Sequence, residues 1–259
     1  MVKLKKYTYF FKLFVIFITL AISFSCGKPK YQLTTIEGKR IPITKDLKQI
    51  PTIENYIKPY RDHIDSDLSA PLAYCPETLE KSGGKWQSPL GNLLADISFK
   101  AGERVFNQRE KKSINICLLN SGGIRSILPK GTITARTAFE IMPFENSLVV
   151  VALKGEQVKE LVDYFIATQK AHPIAGIRFT INKNNTASSI VVQGKLLDLN
   201  AIYYVATNDY LANGGDNMNF FKKGIQKYDL DYKIRNILID YFKEVDTIPV
   251  INDVRILEE

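Results

Sequence analysis

The chain has 259 residues, 45% of them hydrophobic, and a formal net charge of +8. That length suits one sizeable domain or two small ones. Four of the excess cations, Lys3, Lys5, Lys6 and Lys12, sit in the first dozen residues. Several other lysines fall in a polar spacer, so no nucleic-acid-binding stripe is indicated.

A basic start, an apolar run from Phe14 to Ile22 and a small-residue exit form the pattern of a secretory signal over residues 1–25. Lys12 shortens the apolar run well below the ~20 residues of a spanning helix, which weighs against a retained transmembrane anchor. Ser23-Phe24-Ser25-Cys26-Gly27 resembles a bacterial lipobox, with Cys26 as the acylated residue. A cleaved leader beside an incidental cysteine is the plainer alternative. The implied location is the cell envelope, at its periplasmic or outer-membrane face, through a lipid anchor. Removing the leader lowers the net charge to +4. Residues 26–50 read as a polar linker and 51–259 as the folded domain. Pro51, Pro59, Pro71 and Pro76 are expected to break any long element before residue 80.

Ser88-Pro89 reads as a helix N-cap followed by proline at the first helical position. Leu90, Leu93, Leu94, Ile97, Ala101 and Val105 mark the apolar face of that helix. Ile114–Leu119 reads as a buried strand, ending in Asn120-Ser121-Gly122-Gly123-Ile124-Arg125. Thr134 is placed to cap a short helix running to Met142. Ser147–Leu153 is strongly β-prone, and Gly155 opens a helix carrying Val158, Leu161, Val162, Phe165 and Ile166 on one side. Ile177–Ile181 and Ser188–Val192 flank a hairpin signal at Lys183-Asn184-Asn185. A strand over Tyr203–Thr207 leads into a loop ending Asn213-Gly214-Gly215-Asp216. A helix from about Asp231 to Val245 and a strand near Val254 follow. The pattern is α+β: a mixed β-sheet with helices packed on it. Cys75 and Cys117 are expected to be free thiols.

Three strand-end loops carry the chemistry, since sites are commonly built there. In the first, adjacent Gly122 and Gly123 allow positive φ and room for a flat ligand. Asn120 offers a donor and an acceptor there, and Arg125 a planar fork of donors. An ordinary tight turn with an exposed arginine fits that segment equally well. In the second, Met142-Pro143-Phe144-Glu145-Asn146, Phe144 is a candidate stacking platform, although a single aromatic is more often core. The third adds Tyr210, the open backbone of Gly214 and Gly215, and the Asp216 carboxylate. Together they make a plausible nucleoside pocket, with rings for a base and a carboxylate for ribose hydroxyls. The only histidines, His63 and His172, read as surface residues. No Asp-x-His or Gly-Asn-His segment offers metal ligands, and no phosphate-binding G-x-x-x-x-G-K-[ST] loop is present.

Four segments in series, Ser88–Asp96, Asn120–Arg125, Met142–Asn146 and Thr207–Asp216, resemble the C-terminal domain of the 5′-nucleotidase family, over about residues 80–256. The resemblance implies that this domain binds base and sugar while a metallophosphatase domain, holding two divalent metals, cleaves the phosphate. It implies that Phe144 and Tyr210 sandwich the base, Asn120 bonds its edge, and Arg125 and Asp216 hold the ribose. Asn146, Gly122, Gly123, Gly214 and Gly215 complete the implied site; no catalytic residue, metal ligand or cofactor is expected in this chain. Tyr210 stands where many members have Phe, and Glu145, where Gly is common, is expected near the pocket mouth. Lys85 is the nearest substitute for an upstream Arg that some members carry. Two functions follow as expectations: the recognition half of a split 5′-nucleotidase with a metallophosphatase partner, or a surface lipoprotein that captures nucleosides or nucleotides.

Overall fold

A computed structural model describes residues 2–23, 34–44, 46–251 and 253–259. Residues 1–51 and 52–259 form two separate units. The first holds helix α1 (Val2–Ser23). Among the described residues no helix is long and apolar enough to cross a membrane. Cys26, the candidate acylation site, lies outside the described residues.

The second unit begins within α2 (Pro51–Ser69), which corrects the expectation that prolines would break this region. Pro59 sits inside it and removes one backbone donor. The helix is solvent-facing and carries Glu54–Arg61 and Lys58–Asp62 ion pairs on its own surface. Next come β1 (Pro71–Cys75), α3 (Pro89–Glu110), β2 (Ile116–Leu118), β3 (Gly131–Thr134), α4 (Ala135–Ile141) and β4 (Ser147–Lys154). They are followed by α5 (Gly155–Thr168), β5 (Ile174–Ala175), β6 (Ile177–Ile181), β7 (Ala187–Val192), β8 (Lys195–Leu196) and β9 (Ile202–Asn208). The short α6 (Asp209–Ala212), β10 (Gln226–Lys233), α7 (Ile234–Glu244) and β11 (Ile256–Glu258) complete the unit.

The architecture is α+β, as the sequence pattern indicated. A five-stranded sheet runs β10-β4-β9-β2-β5, a four-stranded one β11-β6-β7-β8, and β1 pairs with β3. In the larger sheet β9 and β2 are parallel, and β4 is antiparallel to β9. Helices cover both faces, which explains the uninterrupted apolar run of β4. Leu148 and Val150 join the core under α3 and α7, whereas Val149, Val151 and Leu153 join the one under α5. The same alternation sends Cys117 to the first core and Ile116 and Leu118 to the second.

The Ser88 cap forms as read: its Oγ accepts from the Gly91 N–H at 3.1 Å, with Pro89 opening α3. The buried Arg255 guanidinium donates to Asp96 at 2.7 Å and to Asp253 at 3.0 Å, tying the C-terminal segment to that helix. Strand β10 is a correction, because the sequence reading began a helix inside it at Asp231. Tyr228 and Leu230 are buried between polar neighbours, the alternation of an edge strand. A bulge places Asp231 at φ 50° before α7 starts. Cys75 and Cys117 are both buried and free, and burial pushes each thiol's pKa up.

Candidate functional site

The parallel pairing of β2 with β9 puts both carboxyl ends at one edge of the sheet, and antiparallel β4 brings its entry loop to the same edge. Three segments far apart in sequence therefore surround one cleft of about 440 Å³. Its walls include Asn120, Gly122, Gly123 and Arg125 from the loop after β2. Phe144 and Asn146 come from the loop before β4, and Tyr210 and Asp216 from the segment after β9. Eight of the ten expected site residues thus line one space. Gly214 and Gly215 are not among its lining residues.

Asn208, overlooked in the sequence, is the joint between two of these segments. Its Nδ2 donates to Asn120 Oδ1 at 3.0 Å, and its own Oδ1 caps α6 by accepting from Leu211 N–H at 2.7 Å. Both asparagines are buried, so the amide pair is protected from water. Asn120 Oδ1 is committed to this bond, which leaves its Nδ2 as the donor available to a ligand. Asn146 makes the second joint, donating to Asp209 Oδ1 at 2.8 Å. Met142, given no role of its own in the sequence reading, also lines the cleft.

The expected role of two glycines needs correction. Gly122 and Gly123 lie in a short 3₁₀ turn, and neither has positive φ. At Gly123 a Cβ would come within 3.2 Å of Asn120 Oδ1 and so crowd that amide. Gly214 does have positive φ, at 86°. The Tyr210 ring lies directly over Gly215, where a Cβ would stand 2.5 Å from the ring. One face of that ring is seated on backbone, and the side chain remains 47% exposed. Phe144 is 45% exposed, and the Arg125 guanidinium lies 5.8 Å from its ring centre. Two half-uncovered rings, one cation and one carboxylate share the cleft.

Glu145 is not among the residues lining the cleft. Its carboxylate pairs with buried Arg235, whose hydrogen bond and charge lower its pKa. Arg235 also donates to Pro143 O at 3.1 Å, and Lys233 Nζ to Glu145 O at 2.8 Å. These two cations, overlooked in the sequence, clamp the loop that presents Phe144. Lys85 is not part of the cleft wall; it pairs with Glu258 at 2.5 Å.

His63 is exposed as expected, but His172 is not a surface residue. It is 2% exposed, packed against Tyr164 and Phe165, and its Nδ1 accepts from the Ser121 N–H at 3.2 Å. Pro173 O accepts from Leu119 N–H at 2.9 Å, so the loop that looked free is stitched to the end of β2. Among the described residues, no three His, Cys, Asp or Glu side chains are grouped so as to hold a metal ion.

The family described as 5′-nucleotidase, C-terminal domain, matches residues 73–223. The chain belongs to that family. Curated relatives of this 5′-nucleotidase C-terminal domain include the trifunctional nucleotide phosphoesterase protein of Bacillus subtilis, 25% identical over 222 residues. That match covers 79% of this chain and 15% of the relative. Human 5′-nucleotidase is 23% identical over 237 residues, covering 82% and 41% of the two chains. Among solved structures, the 5′-nucleotidase precursor from Thermus thermophilus superimposes with a TM-score of 0.66 at 25% identity. That alignment covers 80% of this chain and 43% of that one. The domain therefore spans less than half the length of these relatives.

His172 makes the site's support sensitive to acid. Burial pushes its pKa down to about 4, helped by Lys170 and opposed by Asp216. The unfolded chain takes up this proton below a pH of ~6.5, whereas the folded protein does not until about 4. Stability should therefore fall as pH drops through that window, by up to about 3 kcal/mol from this residue. Chemical denaturation at pH 7 and pH 4.5 should show a steeper loss for the wild type than for His172→Asn, which retains an acceptor for Ser121. Parallel losses would contradict this assignment.

Proposed function

We propose that this domain binds the nucleoside part of a nucleotide and presents its phosphate ester to a metallophosphatase. The base lies between Phe144 and Tyr210, the Asn120 amide meets its edge, and Asp216 accepts from the ribose hydroxyls with Arg125 alongside. The observation that carries this reading is the convergence of two half-exposed rings and one carboxylate on a single cleft. Membership of a 5′-nucleotidase domain family, with relatives named for phosphate-ester chemistry on nucleotides, supports the same reading.

In this account the two divalent metals belong to the metallophosphatase, a separate polypeptide that docks here. The described residues do not suit such a site, and no step through a metal is assigned to them. What this chain supplies is orientation: holding base and ribose fixes where the ester lies, the positional part of catalysis. Titration calorimetry should detect adenosine binding. Phe144→Ala should weaken it by about 1–3 kcal/mol, the usual worth of a stacked base, and Asp216→Asn should weaken it as well. The protein alone should not hydrolyse AMP, and a docking metallophosphatase should restore turnover. Wild-type affinity in both variants, or AMP hydrolysis by the domain alone, would refute the proposal.

We also propose that the N-terminal segment directs export and that Cys26 is acylated, holding the domain at the cell envelope. The basic start, short apolar run and lipobox-like Ser23–Gly27 support this. When the full sequence is expressed in a bacterium, Cys26→Ser should move the protein from the membrane to the soluble fraction. Continued membrane association of that variant would argue against acylation at this residue.

A further inference from the structure

The ligand-facing carboxylate is held by more than its own backbone. Asp216 has φ 52°, a left-handed conformation that a non-glycine residue adopts at a cost. Three contacts keep it there. The Tyr210 hydroxyl donates to Asp216 Oδ1 at 2.9 Å, and the same hydroxyl oxygen accepts from the Asp216 N–H at 3.1 Å. From the opposite side the Tyr164 hydroxyl donates to the Asp216 carbonyl at 2.7 Å. Tyr164 in turn packs against His172, which accepts from Ser121 in the loop beside Asn120. A phenylalanine at position 210 would offer the same ring face and lose both bonds to Asp216.

We propose that the Tyr210 hydroxyl is a specificity-determining positioning group: it pre-sets the Asp216 carboxylate so that the cleft selects ribose, with its adjacent hydroxyl pair, over sugars lacking it. The inference rests on the nucleoside-binding reading above. Oδ1 is anchored by the Tyr210 hydroxyl at 2.9 Å, and Oδ2 is left to accept from the sugar. The carboxylate therefore need not be ordered when ligand binds, and that ordering cost is removed for ligands that use it. A ligand without the hydroxyl pair gains nothing from the anchoring. Ring and hydroxyl thus divide the work, one face for the base and one oxygen for the sugar's acceptor.

The test is calorimetry of wild type, Tyr210→Phe and Asp216→Asn with adenosine and with 2′,3′-dideoxyadenosine, after circular dichroism confirms that each variant is folded. The wild type should prefer adenosine, and Asp216→Asn should abolish that preference. Tyr210→Phe should weaken adenosine on the order of tenfold, within what a hydrogen bond to a charged group contributes. It should leave dideoxyadenosine within about twofold, because the stacking ring remains. A general loosening of the loop would weaken both ligands together, and that result would overturn the proposal. Unchanged adenosine binding in Tyr210→Phe would overturn it too, while leaving the nucleoside reading intact. If the wild type binds neither ligand, the nucleoside reading itself falls and this inference with it.

Discussion

The buried amide pair between Asn208 and Asn120 is the constraint on which the cleft depends. Each asparagine stands at the carboxyl end of a strand, and those strands are parallel neighbours. The pair locks the end of β9 to the end of β2 and fixes which way the Asn120 amide points. Asn208 simultaneously caps the turn carrying Tyr210. Losing one partner would leave a buried polar group unpaired, which costs about 1–3 kcal/mol, and would release two walls of the cleft together. The third wall depends on the same turn, because Asn146 bonds to Asp209 within it.

Around that joint the fold separates rigid support from exposed chemistry. The sheet is buried on both faces and cannot shift its register without moving β4 side chains into the wrong core. Arg235 and Lys233 hold the Phe144 loop from the α7 side, and His172 and Tyr164 hold the other loops from the α5 side. The cleft-lining groups Phe144, Tyr210 and Arg125 can therefore be exposed while remaining placed. Supporting residues locked by packing and hydrogen bonds are what a binding site of this kind requires.

Much of this was legible in the sequence, for identifiable reasons. The α3 cap, the uniform apolar run of β4 and the hairpin at Lys183–Asn185 are local signals, and local signals survive folding. The ring, amide and carboxylate residues were legible because they cluster in strand-end loops with distinctive glycine spacing. What was not legible depends on contacts distant in sequence. His172 beside Pro173 looks like loop surface until Ser121, 51 residues away, donates to it. The Glu145 carboxylate looks free until Arg235, 90 residues on, takes it. Strand β10 was hidden because its alternation is broken by a bulge at Asp231 and runs into the α7 pattern. Helix α2 was hidden because its two prolines look like breaks, yet Pro51 occupies the first helical position, where its missing N–H costs nothing, and only Pro59 is internal.

The central claim is that one flat base lies between two particular rings. A crystal structure of the domain soaked with adenosine tests it most directly. The account predicts the purine between Phe144 and Tyr210, with the sugar hydroxyls on Asp216. A nucleoside seated elsewhere, or stacked on neither ring, would contradict it.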